Sequence, residues 1–147
     1  MPRSVLSLPT LVAASLVCGV SAQAAGDAAV DRQAIMKQNG AATRILAGMV
    51  KGETEFDAVA AQLAMGTLHS AALGFGYMFP DGSQTGANTE AAATIWSDRA
   101  GFDAAVAKYI KDTSGMITDM DSLKSAFGAA ASNCGSATKP IARNRMT

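Results

Sequence analysis

The sequence predicts an all-α protein, an antiparallel four-helix bundle, and three observations carry that expectation. Four segments repeat apolar or small residues at alternating steps of four and three, the spacing that lines one face of a helix. Apolar residues make up 49% of the 147 residues and aromatics only 5%, so alanine, leucine and methionine must build the core. Alanine is the strongest helix former, whereas strands favour β-branched and aromatic side chains. The connections run short, long, short, which suits four near-parallel rods in one domain. The length allows one compact domain and scarcely two.

The first element is an export segment. Arg3 gives the positive start, Val5 to Val20 form an apolar run without charge, and Ala22-Gln23-Ala24 offers the small-x-small pattern that signal peptidase accepts. Pro9 interrupts the run, which is short for a membrane span. Cleavage is expected after Ala24, giving a signal peptide over 1–24, a helical domain over 25–136 and an atypical tail over 137–147. Cys18 leaves with the signal, and the mature chain keeps Cys134 alone, which cannot form an internal disulfide. After cleavage no membrane association is expected.

In the first helix Ile35, Asn39, Ala42, Leu46 and Met49 share a face, and Gly52 closes it. Thr54 with Asp57 has the pattern of a capping box for the second helix. There Phe56, Val59, Leu63, Gly66, Ser70 and Leu73 carry the seam. Residues 74–101 hold Gly74, Gly76, Pro80, Gly82 and Gly86 and form the long connection, with a short helical piece over Glu90 to Ile95. The third helix carries Phe102, Val106, Tyr109, Thr113 and Met116. Thr118 with Asp121 suggests a second capping box, opening a fourth helix that presents Met120, Leu123, Phe127, Ala130 and Cys134.

Composition and motifs narrow the function. Twelve basic residues balance twelve acidic ones, and without a basic stripe nucleic acid is not an expected partner. An enzyme is not expected either, because no nucleophile–histidine pairing, phosphate-cradling glycine loop or dense carboxylate cluster is present. Asp119 and Asp121 are explained by a helix start, where acids favour the dipole. Gly74-x-Gly76 is a loop signal only.

Cys134 falls on the seam of the fourth helix, and positions 137 and 138 lie three and four residues further along the same face. This is the geometry of a Cys-x-x-Cys-His haem site, in which two thiols bond the porphyrin edge and the histidine meets the iron. Here the sequence reads Cys134-Gly135-Ser136-Ala137-Thr138, with alanine and threonine in the places of the second cysteine and the histidine.

Other segments carry a wider likeness. Arg32-Gln33-Ala34-Ile35-Met36-Lys37 is similar to the Arg-Gln-x-x-Met/Leu segment of the class II c-type cytochromes, the cytochrome c′ family. Ile95-Trp96 followed by Phe102 is similar to the stretch that enters that family's third helix. Leu123-Lys124-Ser125-Ala126-Phe127, leading to Asn133-Cys134-Gly135, matches its approach to the haem motif. The resemblance spans about residues 27 to 136. It implies haem c as cofactor, Arg32 near the haem propionates, Met36 as the distal iron ligand and Cys134 as the carrier of one thioether. It also implies a periplasmic location, electron transfer with redox partner proteins, and homodimers in many relatives. A methionine at position 36 points to the six-coordinate, electron-transferring branch, and axial methionine favours reduced iron.

After Ser136 the match stops. Residues 137–147 show no helical pattern, and Pro140 is expected to end a helix. One lost nucleotide accounts for the break. A T restored before the alanine codon gives TGC, cysteine, and permitted shifted codons then spell His-Lys-Ala-Tyr-Arg-Ala-Lys, an ordinary family ending. Thr138 as written cannot supply an imidazole. His69, the chain's one histidine, is expected to be a hydrogen-bonded or partly exposed structural residue. The competing reading is a haem-free bundle, either inert or binding another ligand such as Cu(I) through Met36, Met49, Met65, Met78 and His69.

Overall fold

The computed structural model describes residues 20–143 apart from 87, with side chains over 28–134. Residues 1–19, most of the expected export segment, and 144–147 of the tail lie outside the described residues. The elements are α1 (Val20–Val50), α2 (Ala58–Phe75), the short α3 (Thr94–Ser97), α4 (Arg99–Thr113) and α5 (Met120–Arg143). No strand occurs among the described residues. α1 packs on α2 and α5, and α4 on α2 and α5, so the four long helices close into a bundle.

Side-chain contacts fix the directions. His69 of α2 meets Thr113 of α4, and six residues later Phe75 stacks on Tyr109, so the two helices run antiparallel. The link from α4 to α5 overshoots the end of α4. Ile117 N–H donates to Oε1 of Gln62, well before His69 on α2, and α5 returns until Asn133 donates to Asp112. The return brings Cys134 beside Tyr109 of α4.

α1 ends as its sequence predicts. Gly52 takes φ +75°, its N–H bonds the carbonyl of Met49, and Glu53 N–H bonds that of Gly48, the paired closure of a Schellman cap. Both capping boxes fall elsewhere than expected. Asp57 is itself the N-cap of α2, its Oδ1 accepting from Val59 and Ala60 N–H at 2.8 and 3.0 Å. At α5, Asp119 accepts from Ser122 N–H while the Ser122 hydroxyl accepts from Asp119 N–H, one residue on from the Thr118–Asp121 pairing. An aspartate nearer the first turn competes better than a threonine three residues back, because its carboxylate also favours the helix dipole.

Further corrections follow from packing. α2 buries Ala61, Ala64, Met65, Leu68, Ala71 and Ala72, while Val59, Leu63 and Leu73 of the expected seam stand 70%, 69% and 52% exposed. Both stripes of α2 are apolar, and the one rich in alanine faces inward because small side chains let α1 and α4 approach closely. The short helix forms at Thr94–Ser97 and not from Glu90. α4 stops at Thr113, which leaves Met116 in the overshooting link, 78% exposed. The backbone of α5 continues through Pro140 to Arg143. Proline's fixed φ is itself helical, so an interior proline removes one hydrogen bond and crowds the preceding turn without forcing a stop.

Candidate functional site

Three side chains were singled out by the sequence: Arg32, Met36 and Cys134. α1 carries the first two. At about 100° per residue, Met36 lies on the helix wheel between Arg32 and Ala29. Those neighbours are 6% and 1% exposed, so that side of α1 turns inward, yet Met36 is 55% exposed. The described residues do not pack over it, and it is no core methionine. Met49 and Met65, at 5% and 0%, are.

Cys134 comes from α5, beside Tyr109 of α4. The residue as a whole is exposed, but the protein around its thiol removes solvent and pushes its pKa up, so it remains a protonated thiol at neutral pH. Tyr109 is its neighbour on α4. Burial first, and the charge of a Cys134 thiolate second, push the Tyr109 phenol up to about 12. The Tyr109 ring is buried against Phe75, centroids 6.1 Å apart.

Arg32 is held by the long connection. Nη1 donates to the carbonyl of Met78 and the hydroxyl of Ser83 at 2.8 and 3.1 Å. Nη2 donates to the carbonyl of Ser83 and the hydroxyl of Thr89 at 2.9 and 3.3 Å. The guanidinium also lies 4.9 Å from the Phe79 ring centroid and 5.9 Å from that of Trp96. Arg99 braces the connection from the other side, donating to the carbonyls of Phe79 and Gly76 and pairing with Asp103. Phe79 meets Trp96 and Phe102 edge to face, and Trp96 Nε1 donates to the carbonyl of Pro80. Sequence reading did not mark Arg99, Ser83 or Thr89. Their partners lie far along the chain, and no local pattern announces them.

His69 is hydrogen-bonded. The Thr113 hydroxyl donates to the carbonyl of Tyr109 at 2.8 Å, so it accepts from His69 Nδ1 at 3.1 Å. That network assigns the proton to Nδ1 and ties α2 to α4. Among the described residues no three His, Cys, Asp or Glu side chains gather to hold a metal ion.

The residues fit a haem unevenly. Met36, half-exposed between two buried neighbours on the helix wheel, would be free to meet an iron on the α1 side. On the α5 side the sequence offers one thiol, with Ala137 and Thr138 where a second thiol and an imidazole are needed, so the written motif does not complete covalent attachment.

Fold and sequence together define a class, an antiparallel four-helix bundle with a half-exposed methionine on its first helix and a cysteine on its last. The model of the family described as cytochrome C′ matches residues 27–137. A cytochrome c′ of Rhodopseudomonas palustris is 37% identical over 111 residues, 74% of this chain and 76% of that protein. A cytochrome c-556 of Agrobacterium fabrum is 34% identical over 137 residues, covering 88% and 92%. Among solved structures, cytochrome c′ from Rhodopseudomonas palustris superposes with a TM-score of 0.71 at 36% identity, covering 76% of this chain and 92% of that one. The cytochrome c556 of the same organism gives 0.68 at 28% identity, covering 78% and 94%. The chain belongs to the cytochrome c′ family, whose proteins are haem c-binding four-helix bundles.

Proposed function

We propose that this is an exported, periplasmic c-type haem protein that carries electrons between redox partner proteins, with Met36 as the distal iron ligand. The observation that carries the reading is Met36 itself, on the inward side of α1 and 55% exposed between two buried neighbours. Likeness to proteins named cytochrome c-556 as well as cytochrome c′ supports it. Bound haem would supply a one-electron iron couple. The chain's part is to offer a thioether that favours the reduced state and a thiol for one covalent link. The Cu(I) reading has less support, since Met49 and Met65 are committed to the core.

We infer further that the tail from Ala137 onward is out of frame. The family match ends at residue 137, and the shifted codons restore a full attachment motif. A fresh DNA read across the codons for residues 131–147 is the direct test, and codons that cannot shift to cysteine and histidine would sink the idea. The written and restored chains, exported alongside a haem-attachment system, should then differ on a denaturing gel stained for haem. The restored chain should keep its stain and the written chain should lose it; equal staining refutes the reading. In the restored protein, Met36→Leu should change the iron spectrum from six- to five-coordinate, and an unchanged spectrum removes Met36 as ligand.

The outer faces of α1 and α2 support a homodimer, as often found in the family. Ile45, Val59 and Leu63 stand 48%, 70% and 69% exposed beside a groove lined by Ala41, Ala60 and Thr67. Leu63→Glu should lower the mass measured by light scattering; an unchanged mass places any dimer elsewhere.

A further inference from the structure

Arg32 is a buried cation, and among the described residues no carboxylate pairs with it. Burying a charge is costly unless its hydrogen-bonding groups are met, and loss of solvent alone lowers the Arg32 pKa, with no acid opposing. What meets the charge is neutral. Both terminal nitrogens make two bonds each, all to residues between Met78 and Thr89, and two aromatic rings flank the plane.

The first part of the connection is held by Arg99, by the rings of Phe79, Trp96 and Phe102, and by the bond from Trp96 to Pro80. The connection contains no regular element before α3, and it turns through Gly82, Gly86 and Asn88 at φ +85°, +105° and +52°. Its internal bonds are local: the Ser83 N–H and hydroxyl donate to the Pro80 carbonyl, Thr89 N–H to that of Gly86, and Ala91 N–H to the Thr89 hydroxyl. Arg99 reaches only its first residues, Gly76 and Phe79. From Ser83 to Thr89, the described bonds that run to a helix of the bundle come from Arg32.

We propose that Arg32 is a positioning residue whose planar fork staples the 78–89 strap onto α1, one turn before Met36, and so sets the wall beside the candidate iron site. Shape carries the role as much as charge does. Four acceptors fanned around one plane suit a guanidinium, whereas an ammonium is a compact, strongly hydrated charge with three donors. The staple is a property of the chain and does not depend on haem being bound. It does bear on the propionate role implied by family resemblance. A carboxylate seeking the same terminal N–H groups must displace strap bonds to reach them.

The test uses the full chain. Hydrogen exchange read by mass spectrometry across 78–89 reports the strap, and the emission of Trp96, the single tryptophan, reports its packing. Arg32→Gln and Arg32→Lys should both raise strap exchange at least tenfold and shift emission to the red. Wild-type exchange and emission in Arg32→Lys would mean that charge alone suffices, which overturns the proposal. Ser83→Ala with Thr89→Val leaves α1 untouched and so keeps the test open even if the arginine variants fold poorly. Because it also removes the Ser83 hydroxyl–Pro80 and Ala91–Thr89 bonds, Ser83→Ala alone, with Pro80 still acceptor to Ser83 N–H, serves as its control. Loosening is again expected of the double variant, and an unchanged strap overturns the staple. Combining these loop changes with Arg32→Lys should add little to Arg32→Lys alone, whereas full additivity also overturns it.

Discussion

The orientation of α2 is the feature on which most of the packing argument turns, and two leucines five residues apart test it. Leu68 is 3% exposed and Leu63 is 69% exposed. Truncating Leu68 to alanine deletes three buried carbons. At about 0.8 kcal/mol per methylene, lost transfer alone costs about 2.4 kcal/mol. The alanines around it cannot move in to fill the gap, so a cavity contribution brings the total to about 3–4 kcal/mol. At Leu63 most of the side chain already meets water, and the same truncation should cost less than about 1 kcal/mol in the monomer. The assay is denaturant unfolding of each variant at several protein concentrations, with the slope required to stay constant. A homodimer built on the α1–α2 face adds a concentration-dependent loss for Leu63→Ala and none for Leu68→Ala. A loss at Leu63 equal to that at Leu68, persisting at dilutions where only monomer is present, would refute the observed facing of α2.

Three further outcomes follow from local geometry. Asp57→Ala removes the acceptor for two N–H groups of α2 and should cost about 1 kcal/mol, with Thr54→Ala costing less than half of that; the reverse order in unfolding experiments would restore Thr54 as the cap. Thr113→Val, at a side chain 2% exposed, leaves the part-buried His69 Nδ1–H without its acceptor, and should cost about 1 kcal/mol; adding His69→Leu should then cost less than it does in the wild type. The Tyr109 phenol lies at about 12, above the ordinary tyrosine value near 10, so the unfolded chain ionises first. Its contribution is therefore fully present below about pH 10 and is lost as pH rises toward 12. Phenolate absorbance and unfolding measured across that window should show the loss, and Tyr109→Phe should remove this part of the slope.

How much was legible in the sequence depended on whether one reading dominated locally. α1 has a single apolar stripe, and Asn39, Ala42, Leu46 and Met49 are all buried as that stripe requires. α2 offers two, an outward stripe of Val59, Leu63 and Leu73 and an inward one of Ala61, Ala64, Met65, Leu68 and Ala72. Period alone cannot rank them, because hydrophobic size favours the first and close approach of helices favours the second. The caps slipped for a similar reason: Thr54 and Asp57, or Thr118 and Asp119, are all able to cap, and the winner depends on where backbone N–H groups end up. Arg32 was marked through family likeness, but its partners 46 to 57 residues away were beyond any local pattern.

The packing of the core bears on whether the written chain folds. Leu46 and Met49 of α1, Ala61, Ala64, Met65 and Leu68 of α2, and Ile117 and Leu123 all pack into one core. The same core takes in Ala72, Tyr109 and Ala130, with Phe75 and Phe127 packed against it, so it extends to the opposite end as well. α1 also holds a half-exposed Met36 and a stapled Arg32, and α5 brings an exposed Cys134. The core therefore runs the length of the bundle and reaches the level of Cys134 through Tyr109 and Ala130. It is assembled from residues of α1, α2, α4 and α5 that all precede position 135. The written chain is therefore expected to unfold cooperatively, and a molten, non-cooperative chain would refute that expectation.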